Sequence, residues 1–474
     1  MFEKPVHAIH FVGIKGVGMT PLALIANEAG FTVSGSDVEE TYITDEMLQK
    51  AGIVPFIGFA KEHIQRADFV ITTGAHGGYS NVEVQEAKAR GIPVMTQGEA
   101  VGYFMSGKPF GRKDVVGISV AGCHGKTTTT AMIATLLRDG GFDPSFVIGT
   151  GTIPSLGTSG YYGKGVYFVA EADEYATEPT FDKTAKLLWQ HPKYTIITNI
   201  EFDHPDLYKS IAEVRNTYKT FIDQLPVDST LVVCGDDENI KMILSGYTKK
   251  YIRYGFHSDN DYILQRVVPQ GNAIQFSFFS HKDKQTLSVG VPGEHNGLNA
   301  LGAYIVAKEI GIPFPVMQKS FRHFAGTKRR LEFIGKLFSG AAMYDDYAHH
   351  PTEIKKSLDA LRSSYPDKKI VCIFQPHTFS RTKLLFEDFS SSFKLADEVI
   401  ITSIYASQRE VFDTTISSNM LVDAVKKVSG THAVLRETLG DVIQYVKQKA
   451  YDDQYIIITM GAGDVYTILP ALLT

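Results

Sequence analysis

The sequence predicts an α/β protein built from three domains in series. A chain of 474 residues exceeds the size of about 250–300 residues at which a single hydrophobic core stops growing. Short apolar β-like runs alternate with stretches in which apolar residues recur at helical spacing, a pattern typical of parallel sheets with crossover helices. Two of these runs end in a glycine turn that opens a helix-like stretch. We expect the domains to cover residues 1–112, 113–326 and 327–474.

The first domain begins with HAIHFVG at 7–13, a glycine turn and the helix-like stretch MTPLALIANEAG. β-like runs return at FTVSGSD, ADFVITTGA and GIPVMT, so we expect a parallel, Rossmann-like sheet. Gly13, Gly16 and Gly18 occupy the turn, and Asp37 ends the second run, about where a dinucleotide fold places its ribose-binding acid. The glycine order GxxGxG counts against an NAD-dependent oxidoreductase. Another diphosphate-linked nucleotide, or a tight turn without a ligand, remains open.

The strongest single motif is GCHGKT at 122–127, which follows the β-like run VVGISVAG and opens a helix-like stretch. Backbone N–H groups of such a loop bind phosphate oxygens, Lys126 neutralises their charge, and the Thr127 hydroxyl can ligate Mg²⁺. Val120 stands where the generic phosphate-loop motif has its first glycine. The strand before the motif and the helix after it nevertheless favour a nucleotide phosphate loop over a chance match.

Acidic and imidazole side chains follow two further β-like runs of the central domain. EADE at 171–174 comes after VYFVA, and NIEFDH at 199–204 comes after KYTIIT. Ligands bind beyond the carboxyl ends of the strands in an open parallel sheet, so these groups can converge on a metal ion held by a triphosphate. Solvated loop carboxylates are the alternative for any one of them. The two clusters together favour Mg²⁺, with Glu174 and His204 as its ligands.

Later runs complete the central domain and predict the third. STLVVCGDD and short β-like runs at 250–292 precede GEHNGLNALGAYIVAKEIG, which predicts an amphipathic helix with a glycine stop. A mostly parallel, Rossmann-like sheet is then indicated by five β-like runs that alternate with helical segments. They are KRRLEFIGKL, AAMYDDYA, KIVCIFQP, EVIITSI and YIIITMG. Arg329, Arg330, DDYAHH at 345–350 and PHTFSR at 376–381 lie beside the ends of these runs. They can bind anions and an amino acid, and ordinary surface loops are the alternative.

Composition excludes several classes of protein. Hydrophobic residues at 44% and charged residues at 21% are typical of a globular protein and not of a disordered or membrane protein. A net charge of −5 gives no general attraction to nucleic acid or to an anionic membrane. Three cysteines that lie far apart in the sequence suggest neither a disulfide framework nor a metal site. We expect a cytoplasmic protein with no export signal and no membrane span, as a monomer or a homodimer.

In order and spacing, the motifs resemble the Mur ligases across nearly the whole chain. They are GIKGVGM, GCHGKTTTT, EADE, TNIEFDHPD, GEHNGLNA, RRLE, DDYAHHPTEI and GAGD. The resemblance implies a first domain for a UDP-sugar, a central domain of the P-loop ATPase type and a third domain for the incoming amino acid. Such enzymes form an amide bond through an acyl phosphate in peptidoglycan synthesis, and thus serve cell wall biogenesis, cell shape and cell division.

Three segments narrow the resemblance within the family. HFVGIKGVGM, SGSD at 34–37 and FQPHTFSRT at 374–382 resemble the members that join L-alanine to the lactyl carboxylate of UDP-N-acetylmuramate. Members that reattach a recycled tripeptide share EADEY and FDK but usually lack PHTFSRT, and they are the alternative within the family. A protein that binds ATP only as a switch is the alternative from another class.

The resemblance also implies roles for particular residues. Residues expected to bind ATP are Gly122, Cys123, His124, Gly125, Lys126, Thr127, Thr128, His295, Asn296, Asn299, Arg330 and Asp346. Those expected to bind the UDP-sugar are Gly13, Gly16, Val17, Gly18, Ser36 and Asp37, and those expected to bind the amino acid are Tyr347, His349, His377 and Arg381. The expected metal is Mg²⁺, for which Mn²⁺ can substitute, on Thr127, Glu174 and His204. The expected catalytic residues are Lys126, His204, His349 and Arg381.

Two positions depart from the pattern of the family. Cys123 stands where Thr or Ala is more usual, and Thr378 stands where some members have Arg. With one arginine fewer beside the amino acid, the affinity for alanine is expected to depend more heavily on Arg381.

Overall fold

The structure is a computed structural model that describes residues 6–280, 283–406 and 412–473. Each predicted domain contains one main sheet, which confirms the predicted α/β class with three domains. No helix in the described ranges combines the length and the apolar character needed to cross a membrane.

The first domain is a parallel sheet flanked by helices. Its strands are β1 (Ala8–Val12), β2 (Thr32–Asp37), β3 (Phe56–Ile57), β4 (Phe69–Thr72) and β5 (Val94–Thr96), and its helices are α1 (Thr20–Glu28), α2 (Asp45–Lys50), α3 (Val82–Ala89) and α4 (Gln97–Met105). The strand order is β3-β2-β1-β4-β5, with every pairing parallel. The winding therefore reverses between β1 and β4, and a Rossmann-like sheet binds ligands at the carboxyl ends of strands beside such a reversal.

The central domain has a long mixed sheet with a parallel core. Its strands are β6 (Val116–Ala121), β7 (Ser145–Val147), β8 (Gly160–Tyr161), β9 (Tyr167–Ala172), β10 (Ala176–Glu178), β11 (Asp182–Ala185), β12 (Tyr194–Ile197), β13 (Thr230–Cys234), β14 (Tyr251–Gly255), β15 (Tyr262–Gln270), β16 (Ala273–Ser280) and β17 (Asp283–Val289). Its helices are α5 (Lys126–Asp139), α6 (Ile211–Asp223), α7 (Glu238–Ile243), α8 (Glu294–Ile310) and α9 (Phe314–His323).

The order of the central strands brings three loops together. The order is β17-β16-β15-β14-β13-β12-β6-β9-β7-β8, while β10 and β11 form a separate hairpin. Strand β6 lies between β12 and β9 and runs parallel to both. The glycine loop after β6 and the two acidic segments after β9 and β12 therefore emerge at one edge of the sheet. The helix predicted at GEHNGLNALGAYIVAKEIG is α8, and it ends at Gly311 with a φ of 97°. Its predicted amphipathic character is wrong, because every residue from Asn299 to Ala307 is buried and α8 is therefore a core helix.

The third domain is again mostly parallel. Its strands are β18 (Glu332–Lys336), β19 (Ala342–Asp346), β20 (Lys369–Phe374), β21 (Glu398–Ile401), β22 (His432–Leu435) and β23 (Tyr455–Met460), and its helices are α10 (Pro351–Ser364), α11 (Phe379–Leu384), α12 (Phe386–Ser390), α13 (Ser418–Val428), α14 (Leu439–Lys449) and α15 (Leu469–Leu473). The strand order is β18-β19-β23-β20-β21-β22, in which β18 pairs antiparallel with β19.

The two junctions between the domains differ in chemistry. At the first junction, Phe168 and Ala170 of β9 pack in the same apolar cluster as Phe11 of β1. At the second junction, polar side chains meet; the Tyr344 hydroxyl, for example, donates to Asn272 Oδ1 at 2.7 Å. Polar contacts exchange readily with water, so we expect the third domain to separate from the central one more easily than the first domain does.

Candidate active site

The glycines of the loop after β6 are required by close packing. Gly122 has a φ of 128°, and a Cβ there would lie 2.1 Å from Thr198 Oγ1. Gly125 has a φ of 82°, and a Cβ there would lie 2.5 Å from Asn299 Oδ1. Any side chain at either position would be strained and would collide with a neighbour, so both positions require glycine. With glycine at both positions, the backbone N–H groups of the loop lie close to the start of α5, where they can bind an anion.

Lys126 is held as a buried cation at the start of α5. Its Nζ donates to the carbonyl oxygen of Gly122 at 2.6 Å and to Glu174 Oε2 at 2.9 Å. Burial by itself lowers the pKa of Lys126, but the Glu174 and Asp173 carboxylates outweigh it and raise that pKa above its ordinary value. The lysine therefore carries a fixed positive charge at the helix N-terminus, where phosphate oxygens bind best.

Asp173, Glu174 and His204 form a compact group of metal-binding side chains. One ligand atom of each lies within 4.8 Å of the other two. Glu174 Oε1 is buried and lacks a hydrogen-bond partner within the described residues, and it lies 3.7 Å from His204 Nε2. A buried carboxylate oxygen without a partner is costly unless a cation compensates it. Since carboxylates are the ligands that Mg²⁺ prefers, the residues present fit a magnesium ion.

Thr127, the third expected metal ligand, has another partner. Its hydroxyl donates to Glu171 Oε2 at 3.0 Å, and the other oxygen of that carboxylate accepts the N–H of Gly149 at 2.7 Å. Burial raises the pKa of Glu171. Glu171 therefore connects the first turn of α5 to the loop after β7.

Cys123 connects the glycine loop to the segment after β12 through two hydrogen bonds. Its Sγ accepts the N–H of Glu201 at 3.2 Å and donates to the carbonyl oxygen of the same residue at 3.3 Å. Burial and the Glu174 carboxylate raise the pKa of this thiol well above its ordinary value. The residue is therefore a neutral structural thiol and not a nucleophile.

A cavity of about 280 Å³ lies between the central and third domains beside the glycine loop. Asp346 enters it from the third domain and accepts the Ser357 hydroxyl at 2.6 Å, and burial raises its pKa to about 6. Burial lowers the pKa of His295, on the opposite wall, to about 3, so this imidazole is neutral. Nine of the twelve residues expected to bind ATP line this cavity: His124, Gly125, Thr127, Thr128, His295, Asn296, Asn299, Arg330 and Asp346.

A second cavity, of about 440 Å³, receives side chains from all three domains. Glycine-turn residues line it from the first domain, phosphate-loop and metal-cluster residues from the central domain, and an aromatic pair from the third domain; they include Gly16, Val17, Gly18, Cys123, Lys126, Thr127, His204, Tyr347 and His349. Gly125, Thr127, Arg330 and Glu353 line both cavities. The two spaces therefore meet at the phosphate loop, where a group could pass from a ligand in one cavity to a ligand in the other.

The remaining residues expected to bind the UDP-sugar lie beneath the first-domain turn. Gly13 has a φ of 79°, and a Cβ there would lie 2.5 Å from Thr73 Cγ2. The buried Ser36 hydroxyl donates to the Glu83 carboxylate. Asp37 accepts the N–H of Lys15 at 2.7 Å. In the described structure these side chains shape the turn, and the wall of the cavity is formed by Gly16, Val17 and Gly18.

Arg381 is bound to the central domain by Asp203. Its Nη2 and Nε lie 2.9 and 3.2 Å from Asp203 Oδ1, and its Nη1 lies 3.3 Å from His377 Nδ1. Among the described residues that line the two cavities, neither Arg381 nor His377 is present. The ring of His377 lies 6.1 Å from that of His349, which does line the second cavity. Burial lowers the pKa of His349 to about 4 and that of His377 to about 3, so both are neutral at pH 7.

Glu353, which sequence reasoning did not single out, is central to the site. Its carboxylate lies 3.1 Å from His124 Nδ1 and 3.6 Å from Arg330 Nη1, and it accepts the N–H of His349 at 3.0 Å. The one local signal is its position at the start of α10, three residues after the His350 cap, where an acid often closes a capping box. That signal predicts a helix end and not a contact with another domain.

The chain is similar to known proteins along nearly its whole length. Three family models match successive segments: "Mur ligase family, catalytic domain" at residues 8–109, "Mur ligase middle domain" at 120–307 and "Mur ligase, glutamate ligase domain" at 329–463. A UDP-N-acetylmuramate--L-alanine ligase of Desulfitobacterium hafniense is 38% identical over 98% of this chain and 98% of its own length. One from a Geobacter species is 37% identical over 99% and 97%.

Solved structures agree with these relatives. The UDP-N-acetylmuramate-alanine ligase of Thermotoga maritima is 27% identical with a TM-score of 0.80, and the alignment covers 98% of both chains. A murein peptide ligase of Psychrobacter arcticus is 25% identical with a TM-score of 0.71, also over 98% of both chains.

Proposed function

The chain belongs to the Mur ligase family, and we propose that it is the ATP-dependent ligase that joins L-alanine to the lactyl carboxylate of UDP-N-acetylmuramate. The reaction is a step of peptidoglycan precursor synthesis, and we place it in the cytoplasm. The observation that carries the proposal is the second cavity, in which a glycine turn, a phosphate loop and an aromatic pair from three domains face one space. A ligase with three substrates needs such a meeting point.

The alternative, attachment of a recycled tripeptide, is not favoured. Three curated relatives that match over 97–99% of this chain are UDP-N-acetylmuramate--L-alanine ligases by name. The alanine ligase of Thermotoga maritima also superimposes more closely than the murein peptide ligase, with TM-scores of 0.80 and 0.71.

The proposed reaction has two steps. The lactyl carboxylate attacks the γ-phosphate of ATP, which gives an acyl phosphate and ADP. The amine of L-alanine then attacks the acyl carbon, which gives the amide and inorganic phosphate. No side-chain nucleophile is required, so the main contribution of the protein is positioning, which can lower a barrier by about 7–11 kcal/mol.

In this proposal Lys126 stabilises the negative charge of the transferring phosphoryl group. Its fixed charge beside the glycine loop needs no reorganisation as the reaction proceeds. Thr127, Glu174 and His204 would hold Mg²⁺, or Mn²⁺ in its place, which when bound offsets charge on the phosphate oxygens.

The third domain would present L-alanine. We assign Tyr347, His349, His377 and Arg381 to this amino acid. Asp203 holds the Arg381 guanidinium in place, and Nη1 of Arg381 lies 3.3 Å from His377 Nδ1. Because His349 and His377 are both neutral, neither adds a positive charge next to the alanine amine that attacks the acyl phosphate. We further propose that residues 1–112 bind the UDP-sugar, residues 113–326 bind ATP and residues 327–474 bind the amino acid.

The test is phosphate release from ATP and Mg²⁺ with UDP-N-acetylmuramate and one amine at a time: L-alanine, glycine, L-serine and the tripeptide L-Ala-D-Glu-diaminopimelate. We expect release that depends on both the UDP-sugar and L-alanine. Efficient use of the tripeptide would make the protein a recycling ligase. ATP hydrolysis that is indifferent to the UDP-sugar would make it a nucleotide switch.

A further inference from the structure

A buried tyrosine of α6 reaches the metal-binding group from below. Tyr218 is fully buried, and its hydroxyl donates to Glu174 Oε2 at 3.1 Å. Burial and the Glu174 carboxylate raise the pKa of Tyr218 well above its ordinary value, so the phenol keeps its proton and stays a donor. The sequence did not single out this residue, because an aromatic residue at helical spacing from Val214 and Phe221 is typical of the core face of a helix.

The two oxygens of the Glu174 carboxylate differ in what they contact. Oε2 accepts from Lys126 Nζ at 2.9 Å and from the Tyr218 hydroxyl at 3.1 Å. A carboxylate oxygen has about two lone-pair positions, so these two donors occupy Oε2 completely. Oε1 is buried without a hydrogen-bond partner among the described residues and lies 3.7 Å from His204 Nε2. The lone pairs that remain for a cation are therefore those of Oε1.

The same segment of the chain also holds the backbone of Glu174. The hydroxyl of Tyr208, just before α6, donates to the carbonyl oxygen of Glu174 at 2.6 Å. The Ser210 side chain caps the start of α6, between Tyr208 and Tyr218. One capped segment thus orients both the main chain and the carboxylate of a single acid. Hydrogen bonds of this kind orient a ligating carboxylate and increase the affinity of a metal site.

We propose that Tyr218 is a positioning residue for the metal ion: its hydroxyl holds Glu174 Oε2 beside Lys126, so that Glu174 binds the ion through Oε1 alone. The inference rests on the proposed function, in which Glu174 and His204 hold Mg²⁺. Without the hydroxyl, Lys126 is the only donor left on Oε2 and the carboxylate can rotate about its terminal bond. The lone pairs of Oε1 are then no longer fixed on the side of His204, and the cation site is weaker.

The test is titration of the full-length chain with manganese chloride, without ATP or UDP-sugar, followed by the electron paramagnetic resonance signal of free Mn²⁺. We expect a site in the wild type that disappears in Glu174→Gln and whose Kd rises about tenfold in Tyr218→Phe, which removes one oxygen and keeps the ring. Tyr304→Phe is the matched control, since Tyr304 is also buried in the central domain but donates to Gln285. It should keep the Kd of the wild type.

Urea unfolding of the two phenylalanine variants separates a positioning role from a structural one. Each loses one buried hydroxyl, so both should lose stability, but only Tyr218→Phe should change the Kd for Mn²⁺. Equal losses of stability with an unchanged Kd in both would overturn the proposal and make Tyr218 an ordinary core residue. A wild type without a Mn²⁺ site that depends on Glu174 would overturn it as well.

The ligase function is tested separately by phosphate release that depends on L-alanine. Normal release with an unchanged Kd in Tyr218→Phe would remove the role of Tyr218 and leave the ligase function. Absent release with a raised Kd in Tyr218→Phe would do the reverse.

Discussion

The first and central domains each contain a strand, a glycine turn and a helix, but they use the lysine of the turn differently. In the first domain the Nζ of Lys15 turns back into its own domain and donates to the carbonyl oxygens of Val38 at 3.0 Å and Glu40 at 2.8 Å. In the central domain the Nζ of Lys126 meets Glu174 beside a cavity that Lys126 itself lines. The first turn is thus a backbone site, and the second adds a cation balanced by carboxylates.

This difference indicates what each turn can bind. A helix N-terminus with backbone N–H groups suits a diphosphate that is already part of a larger ligand. A fixed lysine with a group of acids suits a triphosphate that arrives with a metal ion and transfers its terminal phosphoryl group. The glycines alone do not decide between these ligands; the charged residues around them do.

The largest effect is expected from removing the central lysine. Lys126→Ala should lower kcat by about 10³-fold or more, because it removes a preorganised charge from the transferring phosphoryl group. Thermal unfolding should show that the variant is folded. Lys15→Ala is the matched variant of the other turn, and it should lower stability and raise the KM for the UDP-sugar while leaving the KM for ATP unchanged. Nearly normal turnover of the Lys126→Ala enzyme would contradict the proposal that the lysine of the central turn, unlike that of the first turn, acts on the transferring phosphoryl group.

The next effect concerns stability and pH. Asp346 faces the central turn across the ATP cavity, and its pKa of about 6 lies about two units above that of an unfolded chain. The folded state therefore binds this proton more tightly than the unfolded state, and stability falls as pH rises from about 4 to about 6. Asp346→Asn should accordingly be more stable at pH 7.5 by up to about 3 kcal/mol, with the gain vanishing below about pH 4.

Urea unfolding of both proteins at several pH values measures this difference. Asp37→Asn provides the contrast at the first turn, where burial also raises the pKa of the carboxyl. The two Asp37 oxygens accept backbone N–H groups of Lys15 and Val38. An amide cannot accept two N–H groups at once, so Asp37→Asn should destabilise the protein. At Asp346 one of the two partners is instead the Ser357 hydroxyl, which can rotate and accept from the new amide. A pH-independent difference for Asp346→Asn would show that its charge is not the cause.

A smaller effect is expected at the metal cluster. His204 has a φ of 58°, so Asn, which tolerates this conformation, is a better substitute than Ala. His204→Asn should raise the Mg²⁺ concentration needed for half-maximal rate by about 10–100-fold, by analogy with other weakened metal sites. His76→Ala, beside Asp37 at the first turn, should leave the metal titration unchanged. An unaltered titration for His204→Asn would give this histidine a purely structural role.

The smallest effect should be confined to one substrate. Lysine cannot reproduce the two bonds of the Arg381 guanidinium to Asp203 or the approach of its Nη1 to His377. Arg381→Lys should therefore raise the KM for L-alanine about tenfold, equivalent to about 1.4 kcal/mol, and leave the KM values for ATP and the UDP-sugar nearly unchanged. Steady-state kinetics with each substrate varied in turn measures this. An unchanged KM for L-alanine would remove Arg381 from the alanine site.

The sequence by itself determined the elements that depend on local pattern. Long apolar runs such as β6, β20 and β23 are buried on both faces of parallel sheets, so their composition alone predicts them. The strands predicted from apolar runs in the sequence did not include β3 and β22. These short edge strands expose part of their side chains and lack a long apolar run. The phosphate loop was predictable for a related reason, since the strand, the glycines and Lys126 are neighbours in the chain.

Only the tertiary structure decided which distant side chains meet. His124 and Glu353 are 229 residues apart in the chain, and Asp203 and Arg381 are 178 residues apart, yet each pair joins the central and third domains. Nothing in the local sequence specifies such a partner, because a buried charge is stable beside any opposite charge that packing brings within reach. The contacts of Glu353 and Arg381 therefore depend on how the domains pack against each other. The phosphate loop depends on the local sequence alone.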